Sequence, residues 1–291
     1  MLGALAPSRR RWLAEQYLRR SPLPTALERD LVEEVQRCWD GASLPLTMVE
    51  LVDRARLLLL LQECCARDAA CAGPAATGRH LQIASLRPLD ALLADGRSAL
   101  VLSPSFGPWP AIAPALARRG YKVGFLDLRP AARRPNQPLP PGPGLDLINL
   151  PSRGYARDLL RFACTERSVV VAVGDEGCGP RWARGTLLGR SVAVGSTPFE
   201  LARRLDMGIL PVFALGDSGG NRLLVERPLK PSNSGNADAD LDATAGRWLK
   251  VVERLVRRYP AHYLSFLFAR YRQRSQDPVP LFSDAAAQSG Q

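Results

Sequence analysis

Acidic and thiol side chains follow one predicted strand of this sequence. Asp175 and Glu176 end the apolar run "SVVVAVGDEG", and Cys178 follows in a glycine-rich loop flanked by arginines. A carboxylate at the carboxyl end of a parallel strand can reach a ligand crevice and act as a general acid or base. Neighbouring positive charge favours a nucleophilic thiolate that could accept an acyl group. Asp175 and Cys178 are therefore candidate catalytic residues; the structural alternatives are ion pairing of Asp175 with Arg181 or Arg184, and an incidental loop cysteine.

The sequence holds two histidines, which are the side chains best suited to act as a base near neutral pH. His80 begins a predicted strand, and His262 lies in the C-terminal segment. Either could supply a general base to a site formed elsewhere. The alternative for both is a structural role, and His262 is the candidate catalytic residue of the two.

A second strand-to-helix turn carries no ionisable group. The stretch "ALVLSPSFGPWPAI" (99–112) predicts a buried strand, a turn at Gly107 and a helix from about Pro110. No His, Cys, Asp, Glu, Lys or Arg occurs between Ser103 and Pro110. Ser103 or Ser105 could be a nucleophile if a base lay beside it. The alternative is a turn serine that bonds to the backbone.

The elements that would position these residues alternate between strands and helices from about residue 80 onward. This order predicts an α/β fold with a mostly parallel central sheet flanked by helices. We predict an N-terminal helical segment over 1–78, with a capping box at Thr25 and Glu28, the α/β domain over 79–282, and a disordered tail over 283–291. A polar loop is predicted between "SVVVAVGDEG" and "RSVAVG".

Four stretches in order resemble the lipid A biosynthesis acyltransferase family, part of the lysophospholipid acyltransferase-like superfamily. The family's H-F-G-N-W-E motif aligns with Ser105-Phe106-Gly107-Pro108-Trp109-Pro110. The family's acidic strand end, its F-F-G and following helix, and its late P-E-Q-W-x-W-x-H-R-R-F segment have counterparts here. These are "VVVAVGDEG", "GTLLGRSVAVGSTPFELARRLDMGILPVFAL" and "YPAHYLSFLFARYRQR". The resemblance covers roughly residues 80–275.

The resemblance implies chemistry on an acyl thioester. The family's histidine takes a proton from an acceptor hydroxyl or amine, and its carboxylate orients and stabilises that histidine. Here Ser105 replaces the histidine and Pro110 replaces the carboxylate, so the active site is degenerate. The resemblance implies that Asp175 is a retained acidic site residue. It leaves Ser105, His262 and Cys178 as the other candidates for catalysis.

Substrate binding is assigned by the same resemblance. Phe106, Gly107 and Trp109 are the retained part of the motif. Arg129 follows the third predicted strand of the α/β domain, and Arg190 follows "LLG". A guanidinium group suits a phosphate, such as that of a pantetheine arm. Solvated surface charge is the alternative for both arginines.

The implied function is that of an acyltransferase-like enzyme with an altered active site. It would take an acyl group from an acyl-carrier protein or an acyl-CoA thioester and pass it to a hydroxyl or an amine, with no cofactor. Two alternatives remain open. One is a catalytically inactive partner that binds an acyl chain or a carrier protein in lipid or polyketide-type biosynthesis. The other is a repurposed thioester enzyme that releases or cyclises a chain.

Composition limits the partners and the compartment. The net charge is +11, and all but three of the 39 basic residues are arginine, which indicates either codon usage or an anionic partner such as a membrane surface. The basic residues are scattered and accompany no nucleic-acid motif, so no nucleic-acid partner is expected.

The six cysteines form no CxxC, and with two histidines they assemble no zinc set. No apolar run approaches the ~20 residues of a membrane span. A cytoplasmic protein is expected, with a basic helix over 8–20 that could attach it to the inner membrane.

Overall fold

The computed structural model describes most of the α/β domain and part of the N-terminal segment. The described residues are 47–72, 81–104, 107–127, 144–149, 155–175, 181–217 and 220–264, with scattered positions between 12 and 36.

A seven-stranded sheet forms the centre of these residues. The strands, numbered along the chain, are β1 (Leu81–Ile83), β2 (Ala99–Ser103), β3 (Lys122–Asp127), β4 (Leu145–Asn149), β5 (Ser168–Val173), β6 (Trp182–Leu187), β7 (Arg190–Gly195), β8 (Gly208–Asp217) and β9 (Gly220–Val225). The sheet order is β1-β9-β8-β2-β5-β3-β4, and β6 and β7 form a separate antiparallel pair. All neighbours in the large sheet are parallel except β8 and β9. The prediction of an α/β fold with a mostly parallel sheet is confirmed.

Helices cover both faces of this sheet. They are α1 (Met48–Ala72), α2 (Arg87–Leu92), α3 (Ile112–Ala117), α4 (Tyr155–Ala163), α5 (Thr197–Arg204) and α6 (Ala237–Arg258). The strand β2, apolar except at Ser103, is buried on both sides because its side chains alternate between two covered faces. Leu100 and Leu102 join the core that contains Trp248 of α6, whereas Ala99 and Val101 join the core beneath α2 and α3. Among the described residues no helix is both long and apolar enough to cross a membrane.

The prediction of a loop between β5 and β7 is wrong in part, because β6 lies there. Leu188 and Gly189 both have positive φ values, 53° and 74°, which is the two-residue turn that matches the twist of a hairpin. A leucine in that conformation is unusual, so the turn was not evident from the sequence. Gly185 lets β6 lie directly on α6, since a Cβ there would stand 2.4 Å from Leu249 Cδ1.

The predicted capping box at Thr25 is present in the N-terminal segment. The Glu28 N–H donates to Thr25 Oγ1 over 3.3 Å, and the Thr25 N–H donates to Glu28 Oε2 over 2.9 Å. A second capping box, not predicted, joins Thr47 and Glu50 at the start of α1. The Arg56 guanidinium donates Nε–H to Glu28 Oε1 over 2.8 Å and Nη2–H to Oε2 over 2.5 Å, which fixes α1 to the preceding helix.

Replacing Glu28 by glutamine is expected to make the free energy of unfolding vary less with pH in the acidic range. Burial raises the pKa of Glu28, but the hydrogen bonds from Arg56 and Thr25 together outweigh it, so the pKa is lowered from 4.5. A lowered carboxyl pKa stabilises the folded state at neutral pH, and that stabilisation is lost as pH falls through the folded value. The variant should be less stable by about 2 kcal/mol at pH 7.

Chemical denaturation of both proteins at pH 7 and at successively lower pH would measure the effect. The difference between wild type and Glu28→Gln should shrink as Glu28 becomes protonated. Glu50→Gln is the matched control for the contribution of Arg56: hydrogen bonds from Thr47 lower the pKa of this exposed capping-box carboxylate too, so the same trend with pH is expected at a smaller amplitude. A difference for Glu28→Gln that stays constant with pH would contradict the prediction.

Candidate functional site

An apolar cleft opens at the carboxyl ends of the two central strands β2 and β5. Pro104 directly follows β2, and Asp175 follows β5 after Gly174. The empty volume of the cleft, including its part open to solvent, is about 380 Å³. The carboxyl edge of a parallel sheet is where α/β folds bind ligands. Asp175 thus lies at the carboxyl edge of the sheet, as the order of strand and turn in the sequence indicated.

The walls of the cleft come from the β6–β7 hairpin and from α6. They consist of apolar side chains together with the phenol of Tyr263: Leu187, Val192, Ala193, Val194, Trp248, Leu249, Val252 and Tyr263. The aliphatic members other than Ala193 are almost fully buried. A cavity lined in this way favours a hydrocarbon chain over a charged or sugar-like ligand. Among the described residues, half-buried Asp175 is the one carboxylate that lines the cleft.

The wall at the end of β5 depends on a glycine. A Cβ on Gly174 would stand 2.7 Å from Trp248 Cζ2, 2.8 Å from Cη2 and 3.0 Å from Leu102 Cγ. The indole of Trp248 therefore lies directly against the backbone that leads into Asp175. The Trp248 ring also meets the Phe199 ring edge to face, with ring centroids 6.0 Å apart. The position of Asp175 and the position of Trp248 are thereby coupled.

The motif turn after β2 lies on the free edge of β8. The pairing of β2 with β8 extends only to Leu102 and Pro211, which leaves the later part of β8 without β2 beside it. Gly107, at a φ of +67°, approaches that edge so closely that a Cβ would stand 2.0 Å from the carbonyl oxygen of Ala214. Only glycine fits this combination of conformation and contact. Gly107, which the resemblance implies as a substrate-binding position, here joins the turn to the sheet.

His262 lies on the same edge of β8. Its Nε2 accepts a hydrogen bond from the Gly216 N–H over 3.1 Å, and its Cδ2 lies 3.5 Å from the Cβ position of Gly107. The ring is 6% exposed and meets Tyr259 edge to face. A ring nitrogen that accepts this bond cannot take a proton from a substrate without releasing Gly216. His262 therefore lies near the motif turn, and its Nε2 supports the sheet edge.

Replacing His262 by phenylalanine is expected to destabilise the fold by about 1–3 kcal/mol. The aromatic ring retains most of the volume, but the buried Gly216 N–H loses its acceptor and keeps its desolvation cost. Guanidinium denaturation would measure the change. A variant with wild-type stability and no acyl-transfer activity would contradict this interpretation and assign the imidazole a chemical role instead.

The remaining residues of the motif region have structural contacts. The Ser103 hydroxyl donates to the carbonyl oxygen of Pro104 over 3.0 Å, as expected for a turn serine. Trp109 is buried and stacks on Phe125, with centroids 6.0 Å apart, in the core on the other face of the sheet from Trp248. Pro110 is buried in the short 3₁₀ turn that follows. The side chain of Trp109 thus faces away from the cleft.

The side chains of several candidate residues are not among those that the structure describes. Arg190 begins β7, and only its backbone is described. Ser105, Phe106, Arg129, Cys178 and His80 lie outside the described residues. Of the two arginines considered as partners of Asp175, Arg181 pairs with Asp238 at 2.6 Å and with Glu200 at 3.7 Å. The backbone N–H of Arg184 donates to the Asp242 carboxylate over 2.7 Å.

The cleft wall formed by α6 was not predicted from the sequence. Trp248, Leu249 and Val252 recur at helical spacing with other buried residues of α6, which indicates a core-facing helix but not a ligand site. Tyr263 follows in the helical turn after α6. Among the described residues no group of three or more His, Cys, Asp or Glu side chains could hold a metal ion.

No family model matches the chain, and no curated protein matches it significantly in sequence. The case for a function therefore rests on the quoted motifs and on the geometry of the cleft.

Proposed function

We propose that this protein binds the acyl chain of an acyl thioester in the apolar cleft and transfers the acyl group to a hydroxyl or an amine. The observation that carries the proposal is the cleft itself, an aliphatic cavity at the carboxyl edge of the sheet with Asp175 beside it. Binding of a hydrocarbon chain there removes apolar surface from water on both partners. The thioester is presented by an acyl-carrier protein or by coenzyme A.

Asp175 is the group proposed to handle the proton. Its carboxylate would accept the proton of the acceptor hydroxyl or amine as that atom attacks the thioester carbonyl carbon. A carbon–oxygen or carbon–nitrogen bond forms, the carbon–sulfur bond breaks, and the thiolate leaves and takes up a proton. Holding both reactants in the cleft supplies much of the remaining rate enhancement.

A second candidate function is acyl-chain binding without transfer. It is favoured by the replacement of the motif's histidine and carboxylate with Ser105 and Pro110, and by the engagement of His262 Nε2 with Gly216. In that case the protein would hold an acyl chain or a loaded carrier for another enzyme. Binding with no release of free thiol in the presence of any acceptor would favour this function.

The binding proposal is tested by filling the cleft. Ala193 of β7 is half-buried on the wall, so Ala193→Phe should occupy the cavity with little change to the core. We expect the affinity for a saturated acyl-pantetheine, followed by isothermal titration, to fall at least about tenfold. The matched control is Ala117→Phe, since Ala117 is a half-buried alanine at the end of α3 beneath the other face. Wild-type affinity in Ala193→Phe, or no binding by the wild type, would contradict the proposal.

A further inference from the structure

One buried hydrogen-bond donor in the cleft wall has no acceptor among the described residues. Trp248 is 0% exposed, and its Nε1 is a buried nitrogen without a hydrogen-bond partner there. An indole N–H can only donate, so it cannot be satisfied by the aliphatic side chains around it. Buried polar groups are nearly always paired, and an unpaired one in a native protein calls for a physical explanation.

The position of this donor relates it to the end of β5. Two carbons of the indole's benzene ring, Cζ2 and Cη2, lie 2.7 and 2.8 Å from the Cβ position of Gly174, and Cζ2 is separated from Nε1 only by Cε2. Gly174 directly precedes Asp175, and both Trp248 and Asp175 line the cleft. The benzene ring that adjoins the unpaired N–H therefore lies beside the backbone that leads into the candidate base.

We propose that the Trp248 Nε1–H donates a hydrogen bond to the thioester carbonyl oxygen of the ligand whose acyl chain occupies the cleft. This inference rests on the proposed function. A purely hydrocarbon ligand would leave the donor unpaired, whereas a carbonyl oxygen would satisfy it in a site of low polarity, where such a bond is stronger than in water. Since Nε1 is closed to water in this structure, the ligand must displace the aliphatic wall slightly to reach it.

The same bond would act on the reaction. As the acceptor attacks, the carbonyl oxygen gains negative charge, and a donor already directed at it stabilises that charge more than it stabilises the ground state. The hydrogen bond would also hold the carbonyl carbon near Asp175. Trp248 is therefore assigned both a binding contact and an electrostatic contribution to the transfer.

The test compares two ligands of equal chain length. One is the ketone analogue of the acyl-pantetheine, in which a methylene replaces the sulfur so that the ligand retains the carbonyl and is not cleaved; the other is the alkyl analogue, in which a methylene also replaces the carbonyl. We expect wild type to bind the carbonyl ligand about tenfold more tightly, the typical effect of one buried hydrogen bond. In Trp248→Phe this preference should disappear. In Trp182→Phe, which makes the same change on β6 at a residue that does not line the cleft, the preference should remain.

The outcomes separate this inference from the proposed function. Equal binding of both ligands by wild type, or a preference that persists in Trp248→Phe, would overturn the role of Nε1 while acyl binding stands. Failure of wild type to bind either ligand would overturn both. Should Trp248→Phe fail to fold, the analogue with sulfur in place of the indole N–H can be incorporated at position 248, because it retains the shape and lacks the donor.

Discussion

Replacement of Gly107 by alanine is expected to destabilise the protein by about 3 kcal/mol or more. Two costs combine at this position. An alanine at φ +67° is strained, and its Cβ would stand 2.0 Å from the carbonyl oxygen of Ala214, a backbone atom that cannot move independently of β8. Domains of this kind are stable by about 5–15 kcal/mol, so the change removes a large share of the total.

The matched control for this variant is Gly120→Ala. Gly120 has a φ of +88°, and a Cβ there would meet no atom within 4 Å. It should therefore cost only about 1 kcal/mol, the conformational part of the penalty. Denaturant unfolding of both variants gives the difference between them, which measures the contact with Ala214. Equal losses of stability would contradict the close approach of the motif turn to β8.

Replacement of Asp175 by asparagine is expected to lower the rate of acyl transfer about 100-fold or more while acyl-chain binding persists. Asparagine keeps the size and polarity of the side chain at the cleft mouth but cannot accept the proton of the acceptor, and general base catalysis contributes about 10²–10⁴. Release of free thiol from an acyl-pantetheine thioester, in the presence of hydroxyl and amine acceptors, measures the rate.

Asp238→Asn is the control for this change. Asp238 is an exposed carboxylate of α6 that pairs with Arg181 and does not line the cleft. It should leave the rate unchanged. Unchanged kcat in Asp175→Asn would remove the proposed base, whereas a lowered affinity with unchanged kcat would restrict Asp175 to substrate binding.

The architecture of the fold follows from local patterns in the sequence. The apolar run of β2 is buried on both faces because central parallel strands are covered on both sides, and its composition alone indicated this. Thr25 and Glu28 form the predicted capping box because both partners lie within one turn of chain. The position of Asp175 at the edge of the sheet follows from the direction of β5. Each of these features depends on residues that are near in sequence.

Other features depend on residues that are far apart. The sequence indicated His262 as a candidate base, but its contact with Gly216 appears only once the turn after α6 lies against β8. The resemblance implied Trp109 as a substrate contact, and the tertiary structure places it against Phe125 in the opposite core. The strand β6, and with it the hairpin that it forms with β7, was missed because the turn uses a leucine where glycine or asparagine is usual.

The sequence by itself determined most strands and helices of the α/β domain and the sheet edge at which Asp175 lies, because hydrophobic periodicity and capping are local. The cleft was decided only by the tertiary structure. Its walls come from the β6–β7 hairpin, α6 and the turn after α6, and they meet because Gly174 and Gly185 let α6 lie directly against the end of β5 and against β6. No local pattern in the sequence predicts this packing, because each glycine is required by a side chain that is distant in sequence and fills the space where a Cβ would lie.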